Sequence, residues 1–120
     1  MILHLAPLDD WLEAPDRPYA AASLATEGFI HCSPDERTAL AVANAFFQEV
    51  HGPLMVLLID EDVLDSAVRW EAPSGPPPAG AADDVLFPHI YGSVNRGAVV
   101  GMLEVRRGAD GRWASMSVWS

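Results

Sequence analysis

Three of the four histidines, His4, His31 and His89, lie inside short apolar segments, whereas His51 falls at the end of a helical pattern. A histidine in an extended apolar segment is either satisfied by hydrogen bonds in a core or presented to a cleft, and three of them in one small domain favour a shared cleft. In the stretch EGFIHCS, Glu27 to Ser33, side chains of a strand alternate, so Phe29, His31 and Ser33 share one direction and Ile30 and Cys32 the other. A thiolate–imidazole pair from His31 and Cys32 would have to reach across the sheet, so Cys32 reads as a small buried thiol. Glu71 ends the segment VRWE beside Trp70, a carboxylate next to a stacking surface, although a strand-end acid in solvent would look the same. In FPHIYG, the period-two spacing of Phe87, His89 and Tyr91 lines one face with two rings and an imidazole, which suits a pocket wall as well as a packed strand. Arg37, Arg69 and Arg96 could each bind an anion, but in so acidic a chain pairing with local carboxylates competes.

The elements that must carry these residues follow from periodicity and punctuation. Ile2 to Ala6 predicts a strand, and Pro7 with the acids after it predicts a helical turn to about Glu13. APDRPYAAAS is loop-like; Ser23 could cap one turn, SLATE, ending at Gly28, before a strand from Phe29 to Cys32. Ser33-Pro34-Asp35-Glu36 predicts a helix start with Ser33 as N-cap and Glu36 completing a capping box. The main helix then carries Leu40, Ala43, Asn44 and Phe47 on one face and stops at His51-Gly52. LMVLLI, Leu54 to Ile59, predicts a central strand covered on both faces. VRWE is a further short strand, and the proline-rich APSGPPPAGAADD is a flexible loop of the kind found beside functional sites. AVVGMLEV and RWASMSV form a C-terminal hairpin over about 98–118, turning at Gly108 to Gly111.

The chain has 120 residues, enough for one domain over 1–120 with one hydrophobic core. Its fold class is α+β: a mixed or antiparallel sheet with one main helix and short helices. The formal charge of -10, with no lysine, repels a phosphate backbone and argues against broad nucleic-acid binding, though a local arginine patch could hold one phosphate. A single cysteine allows neither an internal disulfide nor a multi-thiolate zinc site. The start, MILHLAPLDDW, has no secretory pattern and no run reaches membrane-spanning length, so the expectation is a cytoplasmic protein without a membrane partner.

LHLAPLDDW, EGFIHCS, the VANAFF helix, LLID, VRWE and LFPHIYG followed by AVVG resemble, in that order, the bacterial family catalogued as domain of unknown function 952, over about 2–104. Members are sometimes labelled glutathione S-transferase-like, but nothing in these residues supports a thioredoxin-type domain. The resemblance implies a fold similar to the ADP-ribosyltransferases, a curved, split sheet whose cleft holds NAD in those enzymes. It implies that His4 binds ribose hydroxyls and that His31 and Ser33 stand at the cleft, since FIHCS is similar to a strand of the RNA 2'-phosphotransferases. Glu71 or His89 takes the third catalytic position. VRWE and FPHIYG depart from the context in which such transferases carry a catalytic glutamate.

The expected function is binding of NAD or an ADP-ribose-like nucleotide, with NAD as co-substrate and no metal, and transferase chemistry at the anomeric carbon. His31, His89 and Glu71 are the catalytic candidates. His4 orients ribose, Ser33 and its helix N-terminus hold a phosphate, and Tyr91 or Trp70 stacks on a ring. The alternatives are a non-catalytic binding or interaction module and, third, a histidine-based metal hydrolase, which lacks a short His-x-x-x-His spacing. The placement of the strand histidines discriminates: one cleft shared with Glu71 favours the nucleotide site, separate burial favours the module.

Overall fold

The computed structural model describes residues 1–73, 75–76, 78–80 and 84–119. Among them lie seven strands, β1 (Ile2–Pro7), β2 (Ile30–His31), β3 (Leu54–Ile59), β4 (Ala67–Glu71), β5 (Phe87–Tyr91), β6 (Val99–Arg107) and β7 (Trp113–Val118). The helices are α1 (Leu8–Leu12), α2 (Ala22–Glu27) and α3 (Glu36–Phe46), with two short 3-10 turns. A four-stranded sheet runs β1-β3-β6-β7 and a three-stranded sheet β2-β5-β4. Every pairing is antiparallel, so the open choice between a mixed and an antiparallel sheet resolves to the latter. The sheets meet where Leu3 and Ser33 exchange both backbone hydrogen bonds, at 2.9 and 2.7 Å. No helix among the described residues is long and apolar enough to cross a membrane.

β3 is interior to its sheet and apolar on both faces, which is why LMVLLI shows no alternation. Leu54 and Val56 join Leu3, Leu5, Ala39, Ala43 and Trp113 beneath α3. Leu57 and Ile59 face the opposite way and join Ile2, Ile30, Cys32 and Ile90, so the second sheet packs on the other side of the first. The hairpin of β6 and β7 turns through Gly108 to Arg112, with Gly111 at a left-handed φ of 83°.

Three helix boundaries differ from expectation. The N-cap of α3 is Asp35, whose carboxylate accepts the Thr38 N–H at 2.7 Å; Ser33 is drawn two residues upstream into the bridge with Leu3. Sheet pairing thus outcompetes the local capping-box signal, and aspartate caps as well as serine. Asp35→Ala is accordingly expected to lower stability by about 1 kcal/mol in a urea melt, with Ser33 unable to substitute; an unchanged midpoint would reject this cap. At the other end α3 stops at Phe46, with Phe47 as C-cap, before His51-Gly52. There Arg107 lies over the Trp113 ring at 3.9 Å and donates to the Gln48 and Val50 carbonyls, fixing the segment that follows the helix. Gly28 ends α2 at φ 87°, as its position suggested, while Ser23 lies inside the helix and Ala21 is its N-cap.

Candidate functional site

β5 positions the centre of the site because its residues alternate: Ile90 points into the shared core, and His89 and Tyr91 point outward with their neighbours on β2 and β4. His31 on β2 is directly opposite His89, and Arg69 on β4 flanks it from the other side. Phe29 stacks on the His89 ring at 4.3 Å and lies 4.8 Å from His31 and 5.4 Å from Tyr91. The two imidazoles meet edge-on at 5.5 Å.

Each imidazole has its own carboxylate. His89 Nδ1–H donates to Glu71 Oε1 at 2.8 Å, and the Tyr91 hydroxyl donates to the same oxygen at 2.6 Å. These two bonds, Tyr91's first, hold the Glu71 carboxyl below the usual carboxylate range, and the bond to Glu71 pushes the Tyr91 phenol up. An ionised carboxylate only accepts, so it fixes the His89 tautomer with the proton on Nδ1. Nε2 then has no protein partner among the described residues. The ring is 4% exposed and forms part of the cleft wall. His31 Nε2 and Glu27 Oε2 are 3.0 Å apart, both nearly half exposed.

A cleft of about 590 Å³ opens in front of these rings. Its walls include His4, His31, Ser33 and His89, Tyr19 from the loop before α2, Phe46 and Phe47 from the end of α3, and Pro73, Gly75, Pro76 and Pro78 from the described part of the proline-rich loop. Residues 74, 77 and 81–83 of that loop lie outside the described residues. The volume is in the range of small-molecule sites and most of the lining is apolar. Asp10 and Glu27 are its acids, and no arginine is among the described lining residues.

The three strand histidines therefore border one cleft, but their tasks differ from expectation. His4 is 6% exposed, and both ring nitrogens are committed to protein: Nδ1 to the His31 carbonyl at 2.6 Å and Nε2 to the Tyr19 hydroxyl at 2.9 Å. Burial lowers its pKa to about 4, so the ring is neutral near pH 7 and has no free edge for a ribose hydroxyl. Ser33 borders the cleft, but the N-terminus of α3 already holds the Asp35 carboxylate, which disfavours a phosphate there. Glu71 and Tyr91 are not lining residues; they hold His89. Trp70, on the opposite face of β4, donates to Glu61 at 3.3 Å away from the cleft, because strand alternation puts Arg69 and Glu71 on the face shared with His89 and Tyr91. Arg96 is committed to the carbonyls of Trp11, Ala14 and Arg17 rather than to a carboxylate or a ligand. Cys32 is buried, its thiol pushed up by desolvation. Among the described residues no group of three His, Cys, Asp or Glu side chains is placed to hold a metal ion.

Tyr19 is the lining residue that sequence reasoning passed over. It lies in the irregular stretch before α2, and only its backbone bridge to Val94, both bonds at 2.8 Å, brings it into place. The stretch APDRPYAAAS around it reads only as loop, so no local signal marked it.

The protein is thus a small α+β domain of two antiparallel sheets joined at one bridge, with a histidine-lined cleft beside the joint. The chain belongs to the family described as Protein of unknown function (DUF952), whose model matches residues 5–102. Its fold is similar to the crystal structure of protein CC0527 from Caulobacter crescentus, at 24% identity and a TM-score of 0.74, covering 94% of this chain and 92% of that one. A double mutant of CC0527 matches with the same coverage and TM-score at 23% identity. No curated protein matches the chain.

Proposed function

We propose that the cleft binds the nucleoside part of NAD or an ADP-ribose-like ligand, and that His89, held by Glu71, is the proton-transferring group of a transferase. The observation that carries this reading is the Glu71–His89 pair: a carboxylate bonded to Nδ1 of an imidazole that forms part of the wall of an apolar cleft of nucleoside size. In the reaction, an acceptor hydroxyl attacks the anomeric carbon as the carbon–nitrogen bond to nicotinamide breaks. The bonding pair leaves on the ring, which departs neutral, and the hydroxyl proton goes to His89 Nε2. Glu71 stabilises the imidazolium so formed. The phosphates of such a ligand remain in solvent at the cleft mouth, since no arginine is among the described lining residues.

Thermal melts with NAD, ADP-ribose, adenosine and nicotinamide riboside test the binding. A ligand at a hundred times its Kd adds about 2.7 kcal/mol to stability, a rise of several degrees in midpoint. His89→Ala is expected to keep that rise while nicotinamide release from NAD falls at least about 100-fold. A midpoint unmoved by all four compounds would reject the nucleotide reading. Binding without turnover in the parent protein would leave a binding module, with His89 as a contact.

A further inference from the structure

We propose that Tyr19 is the recognition residue of the cleft: its hydroxyl proton is committed to His4, so it offers a ligand lone pairs only and selects, for the part of the ligand seated against it, an uncharged group that brings a hydrogen-bond donor, an amide or a hydroxyl. The inference rests on the cleft being a small-molecule site and adds the class of group it seats.

The His31 backbone carbonyl can only accept, so the 2.6 Å contact requires the proton on His4 Nδ1. A neutral imidazole has one proton, and His4 is neutral because charging it in its buried position is unfavourable. Nε2 is therefore bare, and the 2.9 Å contact to Tyr19 must be donated by the phenol. The Tyr19 oxygen is left as an acceptor. It does not ionise near neutral pH either, because burial raises its pKa. A phenol otherwise rotates its hydroxyl to suit donor or acceptor; His4 removes that choice, which makes His4 a positioning residue.

The rest of the wall points the same way. Asp10 and Glu27 border the cleft and the chain has no lysine, so a carboxylate or phosphate brought to Tyr19 would meet lone pairs and negative charge without a compensating cation among the described lining residues. Arg96, near Tyr19, is held by three backbone carbonyls and by the Trp11 ring at 4.3 Å. The ring of Tyr19 is wedged between Trp11 and His4, with centroids at 5.8 and 5.5 Å, and its backbone is fixed to Val94, so the acceptor is presented at a set position. A site built to accept a hydrogen bond discriminates against analogues that cannot give one.

The test uses four probes on the same ring: benzamide and benzyl alcohol, which donate, methyl benzoate, which only accepts, and benzoate, an anion. In NMR titrations of the 15N-labelled protein, benzamide and benzyl alcohol are expected to bind about tenfold more tightly than methyl benzoate, with benzoate weakest. Tyr19→Phe, which keeps the ring, is expected to erase the difference between benzamide and methyl benzoate. The imidazole 15N shifts of His4 supply a check that needs neither ligand nor variant, with Nδ1 expected protonated and Nε2 bare. Equal binding of benzamide and methyl benzoate, undiminished selectivity in Tyr19→Phe, or a proton on Nε2 would each overturn the proposal while the cleft stands as a site. If none of the probes and none of the nucleosides shifts the resonances of Phe29, His31 or His89, the cleft itself is not a ligand site and the proposal falls with it.

Discussion

Lowering the pH from 7 to about 4 is expected to remove about 3 kcal/mol of stability through His4 alone. In the unfolded chain this imidazole takes up a proton near its ordinary 6.5; in the folded protein burial defers protonation to about 4. Between those values the unfolded state binds the extra proton, so the contribution is complete above pH 6.5 and declines by about 1.4 kcal/mol per pH unit on the way down. Glu71 acts in the same direction at the acid end. Its folded carboxyl is held low by Tyr91 and His89, so what it contributes is present above the ordinary carboxylate range and lost as pH falls through its folded value. Urea melts at pH 7, 5.5 and 4.5 check the first effect against His4→Asn, whose amide can still donate to the His31 carbonyl but does not titrate. A His4→Asn profile as steep as the parent's would mean that other groups cause the acid sensitivity.

Ile90→Ala is expected to cost about 2–5 kcal/mol, against about 0.5–1.5 for Ile90→Val. Ile90 is fully buried and stands where the two sheets share a core, touching the cluster of Ile2, Ile30, Leu57 and Ile59, so the residual cavity is lined from both sides and cannot collapse easily. The same strand turns His89 outward one residue earlier, so the aromatic cluster at the cleft depends on this anchor. Denaturant midpoints of the two variants measure the difference. A loss under about 1 kcal/mol for Ile90→Ala would show that the sheets are not packed through this residue.

Much of the site was legible in the sequence because strand alternation is a local rule. The common direction of Phe29 and His31, the inward turn of Cys32, and the pairing of His89 with Tyr91 on one face all follow from period two, and the structure has them so. The same rule, applied to VRWE, separates Glu71 from Trp70, so naming both for one cleft conflicted with it. What local signals could not carry was competition over distance. Ser33 has every mark of a cap, yet Leu3, thirty residues earlier in the chain, claims its backbone and leaves the cap to Asp35. His4 looked free because its partners, the His31 carbonyl and Tyr19, come from segments with no sequence cue linking them to β1. Tyr19 itself became visible only through its bridge to Val94.

The antiparallel pairings also set the order in which the molecule can assemble. Ile2 pairs with Ile59, Val56 with Leu103 and His31 with His89, so three of the five ladders join segments separated by roughly half a chain length. Such topologies carry high relative contact order and fold in milliseconds to seconds rather than microseconds, because each loop must close before its contacts repay the entropy. A chain emerging from the ribosome can form α3 early, but β1 waits for β3, β3 waits for β6, and the wall carrying His89 waits for β5. Nascent or truncated forms lacking β5 therefore lack the wall that carries His89, and the cleft is completed late in folding.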